Sequence, residues 1–105
     1  MTRWTGGTPR ARIRRAIAVA KVELYTTTSC PFCARAKSLL RTKGVEFDEL
    51  DVTDDDELRE KMIELAGGRR TVPEIFINGQ LVGGYDELRA LDKAGELDRM
   101  LAQPG

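Results

Sequence analysis

The sequence contains no histidine among its 105 residues. That absence excludes, within the chain, every Ser-His-Asp or Cys-His mechanism and every zinc site built on imidazole. Cysteine is almost as scarce, with two in all, Cys30 and Cys33. A bridge between residues so close removes little chain entropy, so the pair does not read as the staple of a secreted scaffold. No apolar run approaches the roughly 18 residues a membrane-spanning helix requires, and no membrane association is expected. The length leaves no room for a second core of useful size. Hydrophobic residues at 41% and charged residues at 32% are ordinary for a soluble globular chain.

Net charge is lacking too, since 17 Lys plus Arg balance 17 Asp plus Glu. The balance hides an asymmetry. Residues 1–20 hold Arg3, Arg10, Arg12, Arg14 and Arg15 and no acid, giving +5, whereas residues 21–105 carry −5. The chain reads as a basic extension, 1–20, ahead of an acidic domain, 21–105. The extension opens on the breaker-rich Thr5-Gly6-Gly7-Thr8-Pro9, has little to bury, and is expected to be disordered. Its apolar tail, Ala16 to Ala20, is shorter than the about 7 to 15 residues of a secretory h-region, so no signal peptide is expected. An Arg-rich, acid-free start is similar to an organellar transit peptide but here lacks Ser. No aromatic is interleaved with the arginines, and nucleic-acid contact is not expected. Trp4 is expected to lie outside the core. Synthesis is expected to begin at Val19, read as methionine from an alternative start codon, which the intact mass of the native protein would check.

From Lys21 the pattern becomes regular. Val22, Leu24, Tyr25 and Thr26 predict a first strand, followed by the turn-like Thr27-Thr28-Ser29. Helix formers from Phe32 to Arg41, with Pro31 at a natural first helical position and Gly44 beyond the end, predict a helix. Val45 to Val52 alternates apolar and acidic side chains and predicts a second strand. Thr53 or Asp54 is the expected cap of a second helix running to Ala66 and closed by Gly67-Gly68. The acids Asp54-Asp55-Asp56-Glu57 read as capping and dipole-complementing residues rather than metal ligands. Glu74 to Ile77 and Gln80 to Gly83 predict two strands joined at Asn78-Gly79, which supplies the positive φ values of a two-residue hairpin turn. Asp86, Leu88, Leu91 and Ala94 predict a third helix, and Glu96 to Leu101 a short fourth. The order is β-α-β-α-β-β-α plus the short C-terminal helix, an α/β fold with one parallel pair and an antiparallel hairpin.

The chemistry concentrates at Cys30-Pro31-Phe32-Cys33, where the first strand gives way to the first helix. A C-x-x-C near a βαβ pattern reads as a redox motif in a reducing cytosol. A cysteine at a helix N-cap meets unpaired N–H groups and the positive end of the dipole, and the free-thiol pKa of about 8.5 can fall by several units there. Cys30 is the expected nucleophile. Cys33, in the first turn and facing inward, would act second on the mixed disulfide formed at Cys30. Arg35 and Lys37 would add positive potential nearby. A lone C-x-x-C cannot complete a tetrathiolate zinc site in one chain, so no metal is expected.

These residues carry a resemblance. From Lys21 to about Leu101 the chain resembles a dithiol glutaredoxin of the small bacterial type. The segments Tyr25-Thr26-Thr27-Thr28-Ser29-Cys30-Pro31-Phe32-Cys33, Arg69-Arg70-Thr71-Val72-Pro73, Ile75-Phe76-Ile77-Asn78-Gly79 and Gly83-Gly84-Tyr85-Asp86-Glu87-Leu88 match it in order and spacing. The resemblance implies a thioredoxin-like fold, a four-stranded mixed sheet with flanking helices. It implies a cytoplasmic monomer that uses glutathione as reducing co-substrate against protein disulfides and glutathionylated proteins. It also implies a cis Val72-Pro73 bond, with the Val72 backbone pairing with the cysteinyl unit of glutathione. Phe32, Thr71 and Tyr85 would flank the same groove. Gly83-Gly84 would turn the chain into the third helix, whose N-terminus, with Asp86 and Glu87, would receive the γ-glutamyl end. Arg69 or Arg70 would meet the glycyl carboxylate.

The chain departs from the family pattern in three places. Thr27 stands where the family usually has Lys, Phe32 stands for the commoner Tyr, and Glu87 stands for a frequent second Asp. Two other readings fit the residues less well. A [2Fe-2S] cluster bridged by Cys30 of two chains and two glutathione molecules is disfavoured by Pro31, because cluster-binding relatives tend to carry a smaller residue there. A redoxin recycled by thioredoxin reductase is disfavoured by the intact Thr71-Val72-Pro73 and Gly83-Gly84-Tyr85-Asp86 segments.

Overall fold

Residues 20–104 are described by a computed structural model. The expectations for the basic extension, Trp4 and a start at Val19 fall outside the described residues. The elements are β1 Val22–Thr26, α1 Pro31–Thr42, β2 Asp48–Asp51, α2 Asp56–Leu65, β3 Glu74–Ile77, β4 Gln80–Gly83, α3 Tyr85–Lys93 and α4 Glu96–Leu101. The strands form one sheet in the order β2-β1-β3-β4. β1 runs parallel to β2, and β3 runs antiparallel to both β1 and β4. This is the predicted mixed sheet.

Strand periodicity distributes the core over two faces. Val22, Leu24, Ile75 and Ile77 point one way and pack with Ala36 and Leu40 of α1, Leu88 of α3 and Leu97 and Leu101 of α4. Tyr25 and Phe76 point the other way and pack with Met62, Ile63 and Ala66 of the α2 region. Their rings meet edge to face at 5.7 Å. At the hairpin Asn78 and Gly79 take φ 53° and 78°, as the turn requires. The Asn78 side chain also works across the sheet, its Oδ1 accepting from the Lys21 N–H at 2.8 Å.

Three boundaries differ from expectation. The second strand is Asp48–Asp51 rather than Val45 to Val52. Only Asp48 to Asp51 pair with β1; Val45 and Phe47 instead pack on the first core cluster while the chain crosses from α1 to the sheet edge. Charged side chains on this edge strand oppose pairing with another chain. Helix α2 is capped by Asp55, whose Oδ1 accepts from the Leu58 N–H at 3.0 Å, not by Thr53 or Asp54. Thr53 is engaged elsewhere: its hydroxyl accepts from the Thr28 N–H at 2.9 Å, anchoring the loop before Cys30 to the end of β2. Helix α3 begins at Tyr85 with Gly84 as N-cap, one residue earlier than Asp86.

Candidate active site

The sequence at the β1–α1 junction dictates a helix start. Cys30 is the N-cap of α1, with extended φ of −135°, and Pro31 follows at the first helical position. The Cys33 N–H donates to Cys30 Sγ at 3.0 Å, so the sulfur takes the place of a capping oxygen. The two cysteines are joined as a disulfide, the oxidised state of the pair. Cys33 is 2% exposed and belongs to the buried face of α1 with Ala36 and Leu40, whereas Cys30 is half-buried. A reactant arriving from solvent therefore reaches Cys30 first. Helix-terminal N–H groups favour negative charge on that sulfur after reduction.

Beside the cysteines lies a groove of about 220 Å³, lined by Phe32, Arg69, Thr71, Val72, Pro73, Gly84, Tyr85, Asp86 and Glu87. Three separated segments build it: the first turn of α1, the loop before β3 and the start of α3. Every candidate for glutathione contact lies on it except Arg70, which is exposed and not among its lining residues. The Val72-Pro73 peptide bond is cis, as the resemblance implied. Phe32 forms one wall, 50% exposed, its ring stacked on Tyr85 at 6.2 Å. The Arg35 guanidinium stands over the outer face of Phe32 at 5.3 Å. Lys37, also expected to add positive potential, is committed instead to Glu49 at 2.9 Å. That hydrogen bond, first, and a second from the buried Thr26 hydroxyl hold the Glu49 carboxyl below its ordinary pKa.

At the far end the N-terminus of α3 is closed by its own side chain. Glu87 Oε1 accepts from the Gly84 N–H at 2.6 Å and stands 3.7 Å from Arg69 Nη2. Asp86, next to it, is likewise exposed on the groove. Arg69 also reaches the opposite way, with Nε 3.2 Å from Glu74 Oε1. Sequence reasoning had not singled out Glu74. Its side chain is fully buried, and burial pushes its carboxyl above the ordinary range against the pull of Arg69 and Thr71. The available signal was an acid opening the otherwise apolar strand Glu74-Ile75-Phe76-Ile77, directly after Pro73. A wider, shallower hollow of about 620 Å³ runs along the acidic outer face of α2, past Asp56, Glu57, Glu60 and Glu64. It contains no residue of the Cys30-Pro31-Phe32-Cys33 segment, whereas the groove is walled by Phe32.

Comparison with known proteins follows the same lines. Residues 22–82 match the family model for glutaredoxin. The chain is 52% identical over 83 residues to glutaredoxin 3 of Escherichia coli, covering 79% of this chain and 99% of that protein. Among solved structures, a Brucella melitensis glutaredoxin superposes with a TM-score of 0.72 at 48% identity, over 81% of this chain and 91% of its own. A buckwheat glutaredoxin solved as a glutathione complex superposes with a TM-score of 0.71 at 26% identity, over 78% of this chain and 76% of its own.

Proposed function

The chain belongs to the glutaredoxin family of thiol-disulfide oxidoreductases with a thioredoxin-like fold, and from that premise we propose how its residues divide the work. Cys30 is the nucleophile, Cys33 the resolving thiol, and the groove beside them the glutathione site. The observation that carries this reading is the position of Cys30: an accessible sulfur at a helix N-cap, next to a groove that ends at a second helix N-terminus.

In the glutathione-only cycle the Cys30 thiolate attacks the glutathione sulfur of a glutathionylated protein. The protein thiolate leaves and takes up a proton, and Cys30 is left in a mixed disulfide with glutathione. A second glutathione thiolate attacks the glutathione sulfur of that mixed disulfide, releasing oxidised glutathione and restoring the Cys30 thiolate. In the dithiol cycle Cys30 attacks a protein disulfide, and Cys33 then attacks Cys30 Sγ. That displaces the reduced protein and leaves the Cys30–Cys33 disulfide, which two glutathione molecules reduce in turn. The tripeptide lies along the groove with its cysteinyl backbone against Val72, as an added strand. Its γ-glutamyl carboxylate meets the N-terminus of α3, and its ammonium meets Asp86, the exposed acid there that does not close the turn at Gly84. Glu87 holds the turn at Gly84, and Arg69 takes the glycyl carboxylate, a reading supported by its lying on the groove where Arg70 does not. The protein works as a cytoplasmic monomer on disulfide-bonded and glutathionylated proteins.

The test is glutathione-dependent reduction of a mixed disulfide between glutathione and a small thiol. Cys30→Ser abolishes turnover, while Cys33→Ser retains it and loses only dithiol reduction of protein disulfides. Equal loss in both variants would contradict these roles.

A further inference from the structure

Glu74 lies immediately after the cis proline and pairs in register with Tyr25 at the end of β1. Alternation along β3 puts its side chain on the same sheet face as Phe76, over the α2 layer. It is wholly buried. Oε2 takes one long hydrogen bond, from the Thr71 hydroxyl at 3.5 Å. Oε1 takes none among the described residues: Arg69 Nε stands 3.2 Å away, but its N–H is not aimed along the line between them. A buried carboxylate so poorly supplied with donors is costly to keep charged, and an apolar side chain would continue the strand more cheaply.

What the carboxylate does supply is a fixed point for Arg69. That residue follows Gly67 and Gly68, which close α2, and its N–H donates to the Ala66 carbonyl at 3.4 Å, so the backbone is anchored and only the long side chain has still to be aimed. Its side chain is 42% exposed and has water as an alternative partner. Two carboxylates hold it over the groove instead, Glu74 from beneath at 3.2 Å and Glu87 from across the gap at 3.7 Å. Arg69 Nη2 comes within 4.0 Å of where a side chain on Gly84 would start, so the guanidinium bridges the loop before β3 and the start of α3. With Nε beside the Glu74 carboxylate, the outer edge of the guanidinium faces the groove, where its only ion pair among the described residues is the longer one from Nη2 to Glu87 at 3.7 Å, which a planar anion can replace.

We propose that Glu74 is the positioning residue for the glycyl end of glutathione, its buried carboxylate holding the Arg69 guanidinium where it reads a free C-terminal carboxylate. The inference rests on the assignment of the groove to glutathione. It makes the Arg69–Glu74 pair a specificity device for a tripeptide with an unblocked carboxyl end.

The experiment compares steady-state turnover with glutathione and with its glycyl monoethyl ester for wild type, Glu74→Met, Glu74→Gln, Arg69→Ala and the Glu74→Met/Arg69→Ala double variant. Methionine fills similar volume without acceptors, and Arg69→Ala, in an exposed loop, secures the comparison should the buried variant fold poorly. Glu74→Met is expected to raise KM for glutathione about fivefold, part of the effect of one charge-assisted hydrogen bond. KM for the ester and kcat with saturating glutathione are expected to stay within about twofold. Glu74→Gln, which keeps an acceptor for Arg69, falls between. Arg69→Ala reproduces the effect, and the double variant adds nothing to it. Equal KM increases for glutathione and ester, or a full additional effect of Glu74→Met in the Arg69→Ala background, would overturn the proposal. Wild type without glutathione-dependent turnover would instead remove the glutathione reading itself.

Discussion

Gly83→Ala disturbs the groove without altering any residue that lines it, and its cost follows from three distances and one angle. Gly83 is buried at the end of β4 with φ of 116°, a conformation that residues with a side chain rarely adopt. Holding alanine there costs about 1–3 kcal/mol in backbone strain. A Cβ built on Gly83 would stand 2.9 Å from Glu87 Oε1 and 3.1 Å from Glu87 Cγ, inside van der Waals contact. The Glu87 side chain can swing away, but it then surrenders the 2.6 Å hydrogen bond from the Gly84 N–H that closes the start of α3. That loss adds about 1 kcal/mol. The total is about 2–4 kcal/mol, which for a domain of this size lowers Tm by about 10 °C or more.

Urea denaturation measures the effect directly, as a fall in midpoint at unchanged slope. A double-variant cycle separates its two parts. In a Glu87→Ala background the obstructing side chain is gone, so Gly83→Ala should cost about 1 kcal/mol less, leaving the backbone strain alone. A Gly83→Ala protein within about 0.5 kcal/mol of wild type would refute the strain argument. An identical cost in both backgrounds would refute the role assigned to Glu87.

Two predictions concern pH. Lys37 and Thr26 lower the folded pKa of Glu49 below its unfolded value of about 4.3, so the stability it contributes is present above that pH and lost as pH falls through the folded pKa. Lys37→Met should therefore flatten the acid limb of the stability curve, by less than about 1 kcal/mol because the pair is partly exposed; an unchanged limb in thermal melts between pH 3 and 6 would count against it. Glu74 has the opposite sign: burial raises its folded pKa, so its favourable contribution is full below about 4.3 and lost as pH rises through the folded value. Glu74→Met should thus raise Tm at pH 7, by the equivalent of about 1–3 kcal/mol, with the advantage shrinking in acid. A lower Tm at pH 7 would contradict the account of its burial.

Local signals carried most of the architecture. Pro31 and Gly44 bracket α1, Asn78-Gly79 fixes the hairpin, and the order of periods from 2 to 3.6 and back yields the mixed sheet. Errors arose where tertiary demands replaced local ones. Val45 and Phe47 look like strand residues because they alternate with acids, yet they are held by the α1, α3 and α4 core while no ladder reaches them. Thr53 looks like a cap, yet its hydroxyl serves the Thr28 N–H across the sheet. Of the candidate site, the cysteine pair was legible from the helix start alone. The groove is legible only through the family resemblance, which joins segments some forty residues apart, and even that does not reach Glu74, whose burial and pairing with Arg69 exist only once the loop before β3 is folded.

The electrostatics of the site follow from the same pairings. Where the family usually places Lys before the cysteines this chain has Thr27, and the nearby cations do not simply replace it. Lys37 is bound to Glu49, and Arg69 lies between Glu74 and Glu87. Arg35 remains on the rim, over Phe32. If Cys30 is the nucleophile proposed above, negative charge on it after reduction would be stabilised chiefly at short range, by the helix start and the Cys33 N–H that lies 3.0 Å from its sulfur, which salt screens poorly. Arg69 has the complementary arrangement. Held between two acids it contributes little field of its own, and on the proposed role its positive charge would become available to a ligand carboxylate that displaces the longer contact, the 3.7 Å one to Glu87. On the roles proposed above, attack at sulfur and recognition of the tripeptide are served by separate charges, so a change at Arg69 or Glu74 is expected to act on glutathione affinity while the reactivity of Cys30 stays with α1.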